Sequence, residues 1–236
     1  MNISIVIPAY NESSRIAKGL RSIVDYFRDK DLKYEVLVVD DGSTDETTQV
    51  LEGIKGMIPA LRVLKNRGNK GKGYSVKRGV LESASDLVLF TDADMSAPIE
   101  ELEKLKRAIG QGADIAIGSR VAKGSNIIRR QNKVRESMGK VFNYFVRAIL
   151  GLSVRDTQCG FKLFKRDAAL DIFSLQKIDG FSFDAELLYI AKRKGYNVKA
   201  VPVVWANSPN SKVKMFSSSF NMLMDLFRIK RIHSDI

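Results

Sequence analysis

Two carboxylates one residue apart, Asp92 and Asp94, follow a short apolar run, Val88-Leu89-Phe90-Thr91. Such a run reads as a buried strand. In an open α/β sheet, ligands bind outside the carboxyl ends of the strands. Alternation along an extended segment sends both acids to one side. Two hard oxygen donors there suit Mg²⁺ or Mn²⁺, held by one or two carboxylates together with substrate phosphates. Asp-x-Asp alone is a common surface-loop sequence, and the apolar strand running into it is what sets this one apart. Two other strand-like segments end in a similar way. Ile3-Ser4-Ile5-Val6-Ile7-Pro8 leads into Ala9-Tyr10-Asn11-Glu12, and Glu35-Val36-Leu37-Val38-Val39 into Asp40-Asp41-Gly42-Ser43. If these strands neighbour one another, their ends form one pocket. There Tyr10 offers a base an aromatic face, Asp40 or Asp41 accepts hydrogen bonds from a base N–H or ribose hydroxyls, and Asp94 with a metal neutralises a diphosphate.

Other chemistries fit less well. The loop Asn66-Arg67-Gly68-Asn69-Lys70-Gly71-Lys72-Gly73 resembles a phosphate cradle but lacks Gly-x-x-x-x-Gly-Lys-Ser/Thr, which argues against a P-loop. No Gly-x-Gly-x-x-Gly follows the first strand, which argues against a dinucleotide dehydrogenase. Cys159 reads as a small packed residue, because no His is placed to activate it. His233 reads as part of a polar tail and a poor candidate for catalysis.

The elements that must position these residues follow from periodicity. Ile16, Leu20, Ile23, Val24 and Phe27 recur at helical spacing, Leu61 to Leu64 is a short strand, and Tyr74 to Ala84 a helix. Pro98 opens another helix with Glu100, Glu101 and Glu103 near its N-terminus. Ala113 to Gly118 is a fifth strand. This alternation predicts a mostly parallel sheet with helices on both faces. Beyond Arg120, residues 121–133 read as a polar, basic loop. Val134, Met138, Val141, Phe142, Phe145 and Ile149 form one helix face, and Arg155 to Phe164 is irregular with some strand. Asp184 to Lys194 reads as a helix and Val198 to Val204 as a strand. In the tail, Phe216, Phe220, Leu223 and Phe227 fall on one side of a helix that either covers the sheet or lies in a membrane interface.

Charge is unevenly placed. Residues 1–118 hold 17 Lys+Arg and 18 Asp+Glu, whereas residues 119–236 hold 22 and 9. The basic half therefore expects an anionic partner: a nucleic acid, an anionic membrane surface or a phosphorylated acceptor. A nucleic-acid reader would interleave exposed aromatics with its basic residues. Here the phenylalanines keep helical spacing, so no nucleic-acid partner is expected. The single cysteine excludes an internal disulfide and fits a reducing compartment. No signal-peptide pattern precedes Ile3, and no apolar run reaches the roughly 18 residues of a membrane span.

The motifs together resemble an inverting family-2 glycosyltransferase of the GT-A fold, and within it the polyprenyl-phosphate sugar synthases. They are Val6-Ile7-Pro8-Ala9-Tyr10-Asn11-Glu12, Val38-Val39-Asp40-Asp41-Gly42-Ser43-Thr44-Asp45, Asn69-Lys70-Gly71-Lys72-Gly73, Asp92-Ala93-Asp94 and Gly118-Ser119-Arg120. Arg155-Asp156-Thr157-Gln158-Cys159-Gly160-Phe161-Lys162-Leu163-Phe164, Phe183-Asp184-Ala185-Glu186-Leu187-Leu188, and Trp205 followed by Ser211-Lys212 resemble the dolichyl-phosphate β-glucosyltransferases.

The resemblance implies a fold and roles. The fold is α/β, a Rossmann-like, mostly parallel GT-A sheet flanked by helices, with a C-terminal amphipathic helix. Residues 1–214 would be the catalytic domain (1–118 for the nucleotide, 119–214 for the acceptor) and 215–236 the tail helix. Pro8, Tyr10, Glu12, Val39, Asp40 and Asp41 would hold the nucleoside, with Lys72, Asp92, Ala93 and Lys212 on the rest of the nucleotide sugar. Asp94 would bind Mg²⁺ or Mn²⁺, assisted by Asp92 and by Ser96, which stands where mannose synthases often carry Gln. Arg120 and Arg135 would take the acceptor phosphate. Asp92, Asp94, Arg120 and Asp156 form the expected catalytic set. Asp156, Asp184 and Glu186 either orient sugar hydroxyls or are structural. The expected partners are a nucleotide sugar, UDP-glucose or else GDP-mannose, a dolichyl or polyprenyl phosphate, and an anionic membrane surface. The expected location is peripheral, on the cytoplasmic face of a membrane.

Overall fold

The computed structural model describes residues 2–208 and 215–236, except the side chains of 215–220. Four parallel strands, β1 (Ile3–Ala9), β2 (Tyr34–Asp40), β3 (Leu61–Lys65) and β4 (Leu87–Thr91), alternate with α1 (Ile16–Phe27), α2 (Thr47–Lys55) and α3 (Lys72–Leu81). A 3₁₀ turn (Ile99–Glu101) and α4 (Leu102–Gly110) lead to β5 (Ile115–Ser119). Then follow β6 (Asn126–Arg129), α5 (Lys133–Leu150), β7 (Phe161–Lys165), α6 (Arg166–Leu175), α7 (Phe183–Arg193), β8 (Val198–Pro202), β9 (Val204–Ala206) and α8 (Met215–Ile232). The main sheet has the order β3-β2-β1-β4-β7-β5-β8. β7 runs antiparallel to both β4 and β5, and β6 and β9 pair separately.

Both faces of the sheet are covered. This is why its central strands read as unbroken apolar runs rather than alternating ones. Ile3, Ile5 and Ile7 of β1 pack with Ile16, Leu20 and Ile23 of α1 and with Leu102 and Leu105 of α4. On the opposite face, Val6, Val88 and Phe90 pack with Val76 and Val80 of α3, Phe173 of α6 and Ile190 of α7. Each such aliphatic side chain contributes about 1.5–3 kcal/mol through burial, so the strand tips rest on a rigid floor.

One expectation changes, and two features are added. The 121–133 segment is not all loop: β6 forms within it because β9 offers an edge. The sequence reading missed α6, whose short apolar stretch directly follows β7 with no intervening break. Among the described side chains of α8, Leu226 and Ile229 are buried and Phe227 is exposed. The tail carries two apolar stripes, and packing against α5 and α7 selects the second; the side chains of Phe216 and Phe220 lie outside the described residues. No described helix is long and apolar enough to cross a membrane.

Candidate active site

The tips of β1 and β2 are tied together by short side chains. Asn11, at a φ of 56°, accepts from the backbone N–H of Thr44 (2.7 Å) and Asp45 (3.1 Å) through Oδ1, and its own N–H donates to Ser43 Oγ (2.9 Å). Glu12 N donates to Thr47 Oγ1 at 2.6 Å. Both acids of the Asp40-Asp41 pair are buried and engaged. Asp40 accepts from Ser43 N (2.9 Å) and Thr48 Oγ1 (2.6 Å). Asp41 accepts from Asn66 Nδ2 (2.7 Å), Lys70 N (2.9 Å) and Gly71 N (2.8 Å). Asp41 thereby shapes the glycine-lysine loop and delivers Lys72 to the start of α3. Tyr10 stands exposed at the rim and Pro8 is half-buried. The side chain of Val39 is fully buried in the strand, next to Gly79 of α3.

β4 ends at Thr91, so Asp92 and Asp94 lie in a turn, closed by Met95 N donating to Asp92 O (3.1 Å). Strand alternation therefore does not set their directions. Each carboxylate instead meets a cation. Lys72 Nζ lies 2.7 Å from Asp92 Oδ1, and Arg15 Nη1 lies 3.8 Å from Asp94 Oδ2. Asp94 also accepts from Ser96 N at 3.0 Å. Burial pushes the Asp94 carboxyl above its ordinary value, and the negative charge of Asp92 pushes the same way. Burial opposes the charge of Lys72, but Asp92 and Asp184 more than offset it and raise its pKa. Ala93 between the acids is buried in the core. Behind them, a Cβ built on Gly160 would stand 2.0 Å from Asp92 Oδ2, so the carboxylate rests directly on that glycine.

On the far side of β7, Arg120 follows the tip of β5. Its Nε and Nη2 donate to Asp156 Oδ2 (2.8 Å) and Oδ1 (2.7 Å), and its backbone N–H donates to Oδ2 (2.8 Å). Burial opposes the Asp156 charge, but the Arg120 bonds hold this carboxyl below its ordinary range. The guanidinium lies over Trp205, 5.4 Å from the ring centroid. Two bonds occupy one edge of the fork, and among the described residues the Nη1 edge makes none. Arg135, in the first turn of α5, is lowered by burial and by the charge of Arg120, and is raised by Asp94. Arg135 thus senses the charges of both Arg120 and Asp94.

Asp184 and Glu186, on the first turn of α7, are buried in internal contacts. Asp184 accepts from Lys162, which also donates to Cys159 O (2.6 Å). Burial raises Asp184 and the lysines lower it, with a net rise. Glu186 accepts from the backbone N–H groups of Lys177 and Ile178, both at 2.9 Å. His233 is not in a polar tail: it is buried, with Nε2 2.7 Å from Glu186 Oε1. Burial pushes the Cys159 thiol up to about 12, as expected of an inert packed residue. The apolar face of α5 turns out to be mostly uncovered. Val134, Met138, Val141, Phe142 and Phe145, with Leu223 of α8, line a groove of about 660 Å³ that begins at Lys133.

The structure thus brings Lys72, Asp92, Asp94 and Arg15 into one cluster and Arg120, Asp156 and Trp205 into a second, with Arg135 coupled to both. Lys212 lies outside the described residues. The sequence reading missed Arg15, which also holds Glu12 and Ser208 (Nη1–Oγ, 2.7 Å). Its position directly before α1 was the available signal. The reading also missed Gly160 as the seat of Asp92, which no spacing rule marks.

A mostly parallel sheet with Asp-x-Asp at the tip of β4 and an antiparallel strand beside it is the GT-A architecture, and the molecule is a glycosyltransferase. The chain belongs to glycosyl transferase family 2, whose family model matches residues 4–173. It is 33% identical to a human dolichyl-phosphate beta-glucosyltransferase over 97% of this chain and 74% of that protein. It is 35% identical to the Saccharomyces cerevisiae protein of the same name, over the same shares. Among solved structures, it is similar to Mycobacterium tuberculosis glucosyl-3-phosphoglycerate synthase in complex with Mn²⁺, UDP and glucosyl-3-phosphoglycerate (21% identity, TM-score 0.70, 99% of this chain and 80% of that one). It is also similar to mannosyl-3-phosphoglycerate synthase from Rubrobacter xylanophilus (17% identity, TM-score 0.75, 100% and 76%).

Proposed function

We propose that this enzyme transfers glucose from UDP-glucose to dolichyl phosphate or a related polyprenyl phosphate, with inversion at the anomeric carbon. Residues 1–118 take the donor and residues 119–214 the acceptor. The observation that carries this reading is the apolar groove along α5, which starts in the same turn as Arg135. From Lys133 to Phe145 it follows α5 for about 18 Å. An acceptor with a phosphate at one end and a long hydrocarbon at the other suits such a site. The names of the curated relatives favour glucose and dolichyl phosphate.

A phosphate monoester has a second pKa near 6, so at neutral pH it is largely a dianion and already a nucleophile. No general base is required, which agrees with Asp156 and Asp184 both being occupied by cations. The chain's task is to bring two anions together. Arg120, through its open edge, and Arg135 hold the acceptor phosphate. A phosphate oxygen attacks the anomeric carbon from the face opposite the diphosphate, the C–O bond to the diphosphate breaks, and the diphosphate leaves with the electron pair. Lys72 and Arg15 offset charge on the donor side.

The residues present fit a divalent cation. Asp92 and Asp94 are paired oxygen donors in a half-buried turn, each also facing a cation, Lys72 and Arg15. Among the described residues no three His, Cys, Asp or Glu side chains converge, so diphosphate oxygens would have to complete the coordination. Asp94, with Asp92 and Ser96 beside it, would hold Mg²⁺ or Mn²⁺, which supplies charge neutralisation to the leaving diphosphate.

The lipid tail of the acceptor is met at a bilayer surface. Val134, Val141, Tyr144 and Phe145 of α5 and Met224 and Phe227 of α8 are exposed. They are interspersed with Lys133, Lys140, Arg147, Arg228 and Lys230. Each basic residue near an anionic leaflet contributes roughly 1 kcal/mol, so a handful suffices for peripheral attachment at the cytoplasmic face. The test is to supply labelled UDP-glucose or GDP-mannose with a short polyprenyl phosphate and Mn²⁺, then extract the lipid. Lipid-borne label with a preference for UDP-glucose of about tenfold, or 1.4 kcal/mol, in kcat/KM is expected. The reverse preference overturns the donor and keeps the family. Salt-dependent nucleic-acid binding without turnover of either sugar overturns the whole reading.

A further inference from the structure

The end of α8 is connected to the donor side by a continuous series of buried contacts. His233 meets Glu186 at 2.7 Å, and both side chains are buried. The two oxygens of Glu186 hold the backbone N–H groups of Lys177 and Ile178. The segment they fix is also held from within and from α3. Gln176 Nε2 donates to Ile178 O (2.8 Å), and Lys77 Nζ donates to Gln176 O (2.8 Å). The same segment then lies against the first turn of α3. Asp179 O accepts from Tyr74 N at 3.2 Å. A Cβ on Gly71 would stand 2.4 Å from Asp179 O, and one on Gly73 would stand 2.5 Å from Ile178 O. The backbones are therefore as close as glycine permits. Between those two glycines is Lys72, whose ammonium lies 2.7 Å from Asp92.

We infer that His233 and Glu186 are positioning residues for the donor site: through the 177–179 segment they set where Lys72 stands against Asp92. This rests on the reading above that Lys72 belongs to the nucleotide-sugar site. A buried carboxylate with three donors is costly to leave half-satisfied. Removing the imidazole frees Oε1 to turn, and the 177–179 backbone moves with it. A displacement of even a fraction of an ångström is passed on directly, because no space separates that backbone from Gly71 and Gly73. The imidazole acts through three intervening layers, so the effect falls on donor affinity more than on the chemical step.

The experiment uses the full chain with Mn²⁺ and either UDP or GDP as probe, measured by calorimetry, together with kcat and donor KM. His233→Ala is expected to raise nucleotide Kd and donor KM about five- to tenfold while kcat stays within about twofold. His233→Gln, which keeps an N–H within reach of Glu186, is expected to recover most of the loss. Lys77→Met, at a partly exposed side chain, loosens the same segment from the α3 side and shifts Kd in the same direction even if His233→Ala fails to fold. Leu226→Ala, a packing loss on the same helix, lowers Tm without moving Kd. An unchanged Kd in His233→Ala and Lys77→Met, or an equal shift in Leu226→Ala, overturns the inference. Absence of binding by the unaltered chain to either nucleotide overturns the donor reading instead.

Discussion

Gly160→Ala is the smallest change that tests the acid cluster. The added methyl would stand 2.0 Å from Asp92 Oδ2 and 2.5 Å from its Cγ, whereas ordinary van der Waals contact begins at 3.4 Å. The carboxylate must retreat by about 1.4 Å, the difference between those distances. It cannot do so and keep the 2.7 Å contact to Lys72. A misplacement of about 1 Å in a reacting constellation costs on the order of 10²-fold in rate. The backbone is under no comparable pressure: Gly160 is half-buried, and its φ is not in the left-handed region. We therefore expect kcat/KM for glucosyl transfer to fall about 10²-fold with Tm nearly unchanged. Gly180→Ala, where a Cβ meets nothing within 4 Å, serves as the control and should retain activity. Transfer by Gly160→Ala within threefold of the unaltered enzyme would refute the reasoning, because the seat of Asp92 would then be irrelevant to turnover.

Asp94→Asn should lower kcat by about 10²–10³ with the fold intact, and added Mn²⁺ should not restore it; near-full activity in EDTA-stripped buffer would remove the metal role. Asp156→Asn breaks a pair whose acid is buried, at a cost of about 3 kcal/mol, the lower end for such pairs because Arg120 is only partly buried. The sign of its pH dependence follows from the depressed native pKa. The contribution of Asp156 is complete above the unfolded carboxyl value of about 3.9 and is lost as pH falls through the lower native one. Denaturant titrations from pH 5 down to pH 2 should therefore give a shallower loss of stability in Asp156→Asn. In flotation with anionic liposomes, binding should weaken at high salt and should fall further with Val141→Ser plus Phe145→Ser. Absence of binding at low salt to vesicles containing polyprenyl phosphate would remove the membrane reading.

Strands buried on both faces announce themselves as apolar runs, and so β1, β2, β4 and β5 were legible, as were the acids at their ends. What the sequence could not convey was where those acids point. Asp40 and Asp41 look like ligand groups in one dimension. In three, they also accept from Ser43, Thr48, Asn66 and the loop at Gly71, ties that the sequence pattern does not show. The buried acids on α7 found partners 22 and 47 residues away, Lys162 and His233, and no local pattern encodes such pairings. The partners of Arg15 and Gly160 were hidden for the same reason, since each acts on a residue more than 60 positions distant. The direction of β7 was likewise hidden, because an apolar pentapeptide reads identically both ways. The second apolar stripe of α8, Leu226 and Ile229, was hidden by the first, because two apolar faces compete on one helix.

The reversed strand β7 also works as a ruler. Because it lies between β4 and β5, the Asp92 tip and the Arg120 tip are two strand spacings apart, about 10 Å, rather than one of about 4.8 Å. Its reversal brings its entry point, Gly160 and Phe161, to that same edge, so the gap has a floor made of backbone. On the proposed reading, with the donor at one tip and the acceptor phosphate at the other, the width left for the sugar follows from strand order. Substitutions among the charged residues on either bank change grip, while the spacing of the two strand tips themselves is set by the sheet.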